Sequence, residues 1–230
     1  MSGDASPTRI LFVGNSYTTR HNLPHLIVGL AATAEHPRAV EVATIFAGGA
    51  SLRRHWNAGA AQKALANQQW DYVVLQEQST LPVKNRGRYH ENVRLFAPEI
   101  VKHGAQTVLY LTWSRQQAPQ AQDQITSAVN DIAAEIGATV VPVGPAWHTA
   151  MRDDPSLPLY TEDGSHPTAA GSYLAACVFL VALFGERPVG SSVSDALKLD
   201  RAIADKLQAT AWQTLHAGVR RALTADSRAR

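Results

Sequence analysis

Apolar residues in this chain recur with two different spacings. Five short segments, at residues 10–13, 40–46, 72–75, 107–111 and 139–143, are rich in β-branched side chains. Four of them are continuous apolar runs, the pattern of parallel strands covered on both faces. The second, VEVATIF, mixes polar with apolar positions and is expected at a sheet edge. Between these segments the period changes to that of helices. Residues 23–35 follow Asn22 as a predicted N-cap, with Pro24 tolerated in the first turn. Residues 120–136 place Ile125, Val129, Ile132 and Ile136 on one face and end at Gly137. Residues 89–103 behave similarly and end at Gly104, with Pro98 expected to kink or divide them. Residues 168–184 are apolar nearly all round, so this helix is predicted to lie deep. A last amphipathic helix, residues 195–223, carries Leu199, Ile203, Leu207, Leu215 and Val219, a stripe that suits the chain's own core or a dimer interface.

Strands alternating with helices imply one three-layer α/β/α sandwich built on a five-stranded parallel sheet. There is no internal repeat and no low-complexity linker. The expected organisation is a single domain over residues 9–224, a disordered segment at 1–8 and a frayed tail at 225–230.

Composition narrows the function. The 230 residues are 45% hydrophobic and 17% charged, which supports a core and excludes overall disorder. Twenty-one Lys and Arg against nineteen Asp and Glu leave a net charge of +2. No nucleic-acid partner and no membrane partner is therefore expected. The lone cysteine, Cys177, excludes an internal disulfide framework and a multi-thiolate metal site, and reads as a small buried hydrophobe. The first residues lack the basic-then-apolar pattern of a secretory signal. The longest apolar run, 173–184, falls short of the roughly 20 residues that cross a bilayer. The expectation is a soluble, cytoplasmic protein.

In an open parallel sheet, sites form beyond the carboxyl ends of the strands. Those ends carry Gly14-Asn15-Ser16-Tyr17-Thr18, then Ala47-Gly48-Gly49-Ala50-Ser51, then Gln76-Glu77-Gln78-Ser79, then Thr112-Trp113-Ser114-Arg115. After the fifth strand a long irregular stretch is predicted, ending in Asp163-Gly164-Ser165-His166-Pro167-Thr168. These are the parts of an acyl-transfer site. A serine hydroxyl needs a base to take its proton, histidine titrates near neutrality, and a carboxylate on the far ring nitrogen holds its tautomer. Asp163 stands three residues before His166, so one tight turn can bring the two together. Pro167 biases His166 away from helical geometry, and Thr168 can cap the next helix. The backbone amides of Ser16 and Gly49 and a carboxamide from Gln76 or Gln78 are candidate oxyanion donors. Asn15, Tyr17 and Trp113 are candidate substrate contacts, although Trp113, with Tyr110, also reads as sheet-end core. Asp163 and His166 lack a third ligand at a characteristic spacing, so no metal and no cofactor are expected. His21, His25, His55 and His148 have no identifiable partners and read as solvated or structural.

Taken together, Gly14-Asn15-Ser16, Gly49, a side-chain amide after the third strand and Asp163-x-x-His166-Pro167 resemble the four blocks of the SGNH (GDSL-like) hydrolases, spread over residues 10–185. The resemblance implies a flavodoxin-like sandwich that hydrolyses esters, thioesters or O-acetyl groups without a metal. It implies Ser16 as nucleophile, His166 as base, Asp163 as its orienting acid, and Ser16 and Gly49 as oxyanion amides. GNS replaces the usual GDS. The third block departs further, reading LQEQS where an asparagine turn is usual, so Gln76 or Gln78 must substitute. WDYVVLQEQS and DGSHPTAAGSYLAA are similar to an uncharacterised bacterial branch of the superfamily. The expected substrate is a small acyl ester, with O-acetylated carbohydrate suggested by Trp56, Gln76, Gln78, Trp113 and Tyr160 near the rim. A thioesterase or acyltransferase would use the same residues, and the altered third block also suits a non-catalytic ligand-binding module. The chain is expected to be a monomer or a homodimer.

Overall fold

The five apolar segments form one sheet. In the computed structural model, which describes residues 6–189 and 192–226, the strands are β1 (Thr8–Gly14), β2 (Val40–Phe46), β3 (Tyr72–Leu75), β4 (Gln106–Leu111) and β5 (Thr139–Pro142). All neighbours run parallel, in the order β2-β1-β3-β4-β5, so VEVATIF does lie at an edge. Alternation along each strand feeds two separate cores. In β1, Ile10 and Phe12 join one and Leu11 and Val13 the other, all four fully buried.

The helices are α1 (Ser16–Thr19), α2 (Leu23–Ala32), α3 (Leu52–Ala58), α4 (Ala60–Asn67), α5 (Leu81–Lys84) and α6 (Arg86–Lys102), followed by α7 (Gln122–Ile136), α8 (Val143–Asp153), α9 (Ala169–Phe184), α10 (Ser192–Ala196) and α11 (Arg201–Asp226). α2, α8, α9 and α11 cover one face of the sheet, and α3, α4, α6 and α7 the other. α9 is buried without interruption from Ala170 to Val181, as its all-round apolar sequence requires. The stripe of α11 packs into this chain's own core, with Ala204, Leu207 and Ala211 buried.

Several boundaries differ from the sequence expectation. Residues 143–153, expected to be irregular, are helix α8: Gly144 and Pro145 fall in the first turn, where backbone N–H groups need no helical partner. Val143, Ala146, Trp147 and Ala150 then make a buried stripe at helical spacing. α6 begins earlier than expected and is not divided at Pro98, which sits on its exposed side, where the orphaned Arg94 carbonyl can meet water. Asn22 holds the N-cap position of α2 at a left-handed φ of 54°, but its side chain makes no cap bond to a backbone amide and bonds His25 Nδ1 instead, at 2.9 Å. The single last helix is two, α10 and α11. Lys198 takes a positive φ of 55°, and Asp200 Oδ1 caps α11 by accepting from Ala202 N–H at 2.8 Å. Thr8, placed in a disordered segment by the sequence, is in β1, and residues 225 and 226 are in α11. Residues 1–5 and 227–230, and the side chain of Val219, lie outside the described residues. Among the described residues no helix is long and apolar enough to cross a membrane.

With this order, the connections from β1 run outward to β2 and then back past β1 to β3. The crevice opens at the carboxyl ends of β1 and β3.

Candidate active site

Ser16 stands at that crevice because β1 turns abruptly at Gly14. A Cβ on Gly14 would lie 2.5 Å from Thr18 Oγ1 and 2.8 Å from Gln76 Oε1, so a side chain there would have to displace both. Asn15 is extended and caps α1, its Oδ1 accepting from Tyr17 N–H at 3.2 Å. Its Nδ2 donates to Ala50 O at 3.0 Å, tying the turn to the loop after β2. Ser16, half-buried, opens α1, and its N–H makes no hydrogen bond among the described residues.

The 158–168 segment brings the imidazole to this serine. Tyr160 bridges Pro167, Thr161 N–H donates to His166 O at 2.9 Å, and Thr168 caps α9 by accepting from Gly171 N–H at 3.2 Å. Within that strap Asp163 Oδ1 accepts from Ser165 N–H at 2.8 Å, His166 N–H at 2.9 Å and Thr161 Oγ1 at 2.9 Å. Asp163 Oδ2 lies 2.5 Å from His166 Nδ1, and His166 Nε2 lies 2.8 Å from Ser16 Oγ. The contact from His166, reinforced by these backbone and hydroxyl donors, holds the Asp163 carboxyl well below the usual carboxylate range. An ionised carboxylate can only accept, so Nδ1 carries the ring proton. Nε2 then presents its lone pair to the Ser16 hydroxyl.

Behind the serine is a frame of buried polar contacts that the sequence did not reveal. Gln76, fully buried, accepts Asn15 N–H at 2.8 Å and the Thr18 hydroxyl at 3.1 Å through Oε1, and its Nε2 donates to Glu77 O. Its Oε1 is therefore committed to bracing the Ser16 turn, and one of its two Nε2 hydrogens to Glu77 O. Gln78 differs: its Oε1 accepts from Thr80, while its Nε2 makes no hydrogen bond among the described residues. Gly49, exposed and at a φ of 60° that glycine adopts freely, also leaves its N–H unbonded there. His55 is buried and donates Nε2–H to Gly14 O at 2.9 Å; burial is the larger influence and lowers its pKa. Glu77, 5% exposed, accepts from Leu52 N–H, Gln78 N–H and Asn92 Nδ2, and burial raises its pKa against those bonds. A polar Asn92 on the apolar stripe of Tyr89, Val93, Phe96 and Ile100 was the available signal for this network.

The three candidate substrate contacts are buried and engaged in packing and hydrogen bonds. Asn15, Tyr17 and Trp113 are 3%, 4% and 1% exposed. Tyr17 stacks on Trp113 at 4.7 Å between centroids, and Trp113 on Trp147 at 4.0 Å. The Tyr17 hydroxyl meets Ser165 Oγ at 2.6 Å, and Trp113 Nε1 donates to Ser165 O at 2.9 Å. Each stacked pair contributes about 1 kcal/mol beyond burial, and together they anchor the residue preceding His166. Trp56 packs edge-on against Phe96, and the Tyr160 hydroxyl donates to Ser114 O at 2.9 Å. Among the described residues no group of three or more His, Cys, Asp or Glu side chains is arranged to hold a metal ion.

No family model matches the sequence, and no curated protein matches it. Solved structures do. A protein from Slackia heliotrinireducens, described as a candidate SGNH hydrolase, is 31% identical, with a TM-score of 0.68, over 77% of this chain and 100% of its own. A DUF4886 family protein from Bacteroides uniformis is 21% identical, with a TM-score of 0.70, over 91% of this chain and 95% of its own. Axe2, an acetylxylan esterase from Geobacillus stearothermophilus, is 20% identical, with a TM-score of 0.63, over 79% and 96%.

Proposed function

This chain belongs to the SGNH hydrolases, and from that membership we propose that it is a serine esterase cleaving short acyl esters through an acyl-Ser16 intermediate. The observation that carries the reading is the continuous line from Asp163 Oδ2 through both ring nitrogens of His166 to Ser16 Oγ, with steps of 2.5 and 2.8 Å. Ser16 Oγ attacks the ester carbonyl as its proton passes to His166 Nε2. The resulting imidazolium is stabilised by Asp163 and returns the proton to the leaving alcohol. Water then enters, gives a proton to Nε2 and attacks the acyl carbonyl. The proton returns to Ser16 Oγ as the acid leaves.

The tetrahedral oxyanion needs donors that are otherwise uncommitted. The Ser16 and Gly49 amides and the Gln78 carboxamide satisfy that condition, which moves the third donor from Gln76 to Gln78. Short acyl groups are favoured by an exposed constellation, with the Asp163 side chain 47% and that of His166 27% accessible. O-acetylated carbohydrate is the preferred substrate class, supported by the acetylxylan esterase among the fold neighbours.

The test is hydrolysis of p-nitrophenyl acetate, longer p-nitrophenyl esters and acyl-CoA by wild type and Ser16→Ala, with fluorophosphonate labelling alongside. Acetate cleavage and labelling that both vanish in Ser16→Ala are expected. A folded wild type that neither turns over any acyl substrate nor forms an adduct would overturn the proposal.

A further inference from the structure

Two of the proposed oxyanion donors come from different loops, and a single buried carboxylate joins those loops. Glu77 Oε1 accepts from Leu52 N–H at 3.0 Å and from Gln78 N–H at 2.7 Å, while Oε2 accepts from Asn92 Nδ2 at 2.8 Å. Leu52 opens α3 three residues after Gly49, and Gln78 carries the uncommitted carboxamide. Asn92 in turn accepts from Arg53 Nε at 3.1 Å, so the guanidinium reaches the carboxylate only through an intervening amide. Burying a carboxylate without a cation in contact is costly, and an apolar side chain would fill the same volume at lower cost. The contacts that Glu77 makes are spent on loop register.

We infer that Glu77 is a positioning residue of the hydrolytic site: its carboxylate pins the Gly49 loop to the Gln78 loop so that both donors converge on the oxyanion at Ser16. This rests on the esterase reading above. Glu77 touches neither substrate nor the reacting atoms. The same two strand ends are tied again by His55 to Gly14 O and by Asn15 Nδ2 to Ala50 O. Gln76 ties the start of the third loop to the Ser16 turn, and Glu77 is what joins the Gln78 amide to the start of α3.

Glu77→Gln isolates the effect. It keeps an oxygen for the Leu52 and Gln78 amides but turns an NH2 toward Asn92 Nδ2, donor against donor. Adding Asn92→Asp repairs the mismatch: the new amide donates to the new carboxylate, which still accepts from Arg53. With p-nitrophenyl acetate, Glu77→Gln should lower kcat by about 100-fold with KM held within about threefold, because donors are displaced while binding persists. The double variant should recover to within about fivefold of wild type, by the same restored geometry. An unchanged kcat, a loss confined to KM, or an equal loss in the double variant would overturn the inference. If Glu77→Gln does not fold, Asn92→Asp takes its place as the mismatched single variant, carboxylate against carboxylate, with the same expectations. If wild type hydrolyses nothing, the esterase reading falls and the clamp is judged by hydrogen exchange. The Leu52 and Gln78 amides should be slow in wild type and accelerate together in the mismatched variant; fast exchange in wild type, or acceleration of one amide alone, would refute the clamp.

Discussion

Asp163→Asn tests the proposed base most sharply, because it changes one hydrogen-bond polarity and leaves the turn intact. The substituted side chain keeps an oxygen where Oδ1 now accepts from the Ser165 and His166 amides and the Thr161 hydroxyl. It replaces Oδ2, 2.5 Å from His166 Nδ1, with an NH2 that can only donate. Nδ1 must then accept, the ring proton moves to Nε2, and Ser16 Oγ meets a donor in place of a lone pair. In a buried triad the same change removes about 10⁴-fold of kcat. Here the Asp163 side chain is 47% exposed, so water competes for Nδ1 and part of the population keeps the working tautomer. The expected loss is therefore smaller, about 10²- to 10³-fold in kcat, or about 3–4 kcal/mol in the barrier. KM should stay within about threefold, since no substrate-binding group is removed. The assay is steady-state hydrolysis of p-nitrophenyl acetate at pH 8, beside thermal melts of wild type, Asp163→Asn and Asp163→Ala. Only the alanine variant, which loses the acceptor for all three donors, should melt appreciably lower. A kcat for Asp163→Asn within threefold of wild type would refute the claim that this carboxylate sets the tautomer.

Three further outcomes follow from the frame and the packing. Gln76→Leu strands the buried Asn15 N–H and Thr18 hydroxyl, so urea unfolding should show a loss of about 2–3 kcal/mol; a change below about 0.5 kcal/mol would contradict the bracing role. Gly14→Ala drives a methyl into Thr18 and Gln76 and should cost about 1–3 kcal/mol in the same assay, together with much of the activity; full activity at unchanged stability would show that the turn has slack. Asp154 is pulled down to about 2 by the Lys206 ammonium first, and then by the Ser156 hydroxyl and amide. A carboxylate depressed in the folded state adds stability above its unfolded pKa near about 4, and that stability is lost as pH falls. Lys206→Met should therefore melt lower than wild type at pH 7, and the gap should close between about pH 4 and pH 2; a gap that widens on acidification would reverse the sign of this argument.

The sheet was legible because strands covered on both faces leave uninterrupted apolar runs, and because β2, open at an edge, does not. α8 was hidden because Gly144 and Pro145 punctuate a sequence locally, whereas their cost depends on where in a helix they fall. Ser16, Asp163 and His166 could be picked out because each lies at a strand end or within one short turn, where spacing alone limits geometry. Gln76 and Gln78 were not separable, since a carboxamide in a sequence has no direction. The structure turns the first inward onto Asn15 and Thr18 and leaves the second with a free donor. Asn15, Tyr17 and Trp113 looked accessible as loop residues, but Tyr17 and Trp113 lie under the 158–168 strap and Trp147 of α8, and Asn15 is enclosed by Gln76 and the loop after β2. Glu77 was invisible for a related reason: its partners Leu52 and Asn92 are distant in the chain.

The strap that carries Asp163, His166 and the Thr168 cap is short and internally bonded, and its alignment with Ser16 is set by a few anchor points on the aromatic stack. Acid and base thus form a cartridge whose inner wiring survives any swing of the whole segment. A rigid shift of the segment would carry base and acid together and change only the gap to Ser16. For an engineer, the docking surface beneath the segment is the tolerance that must be met.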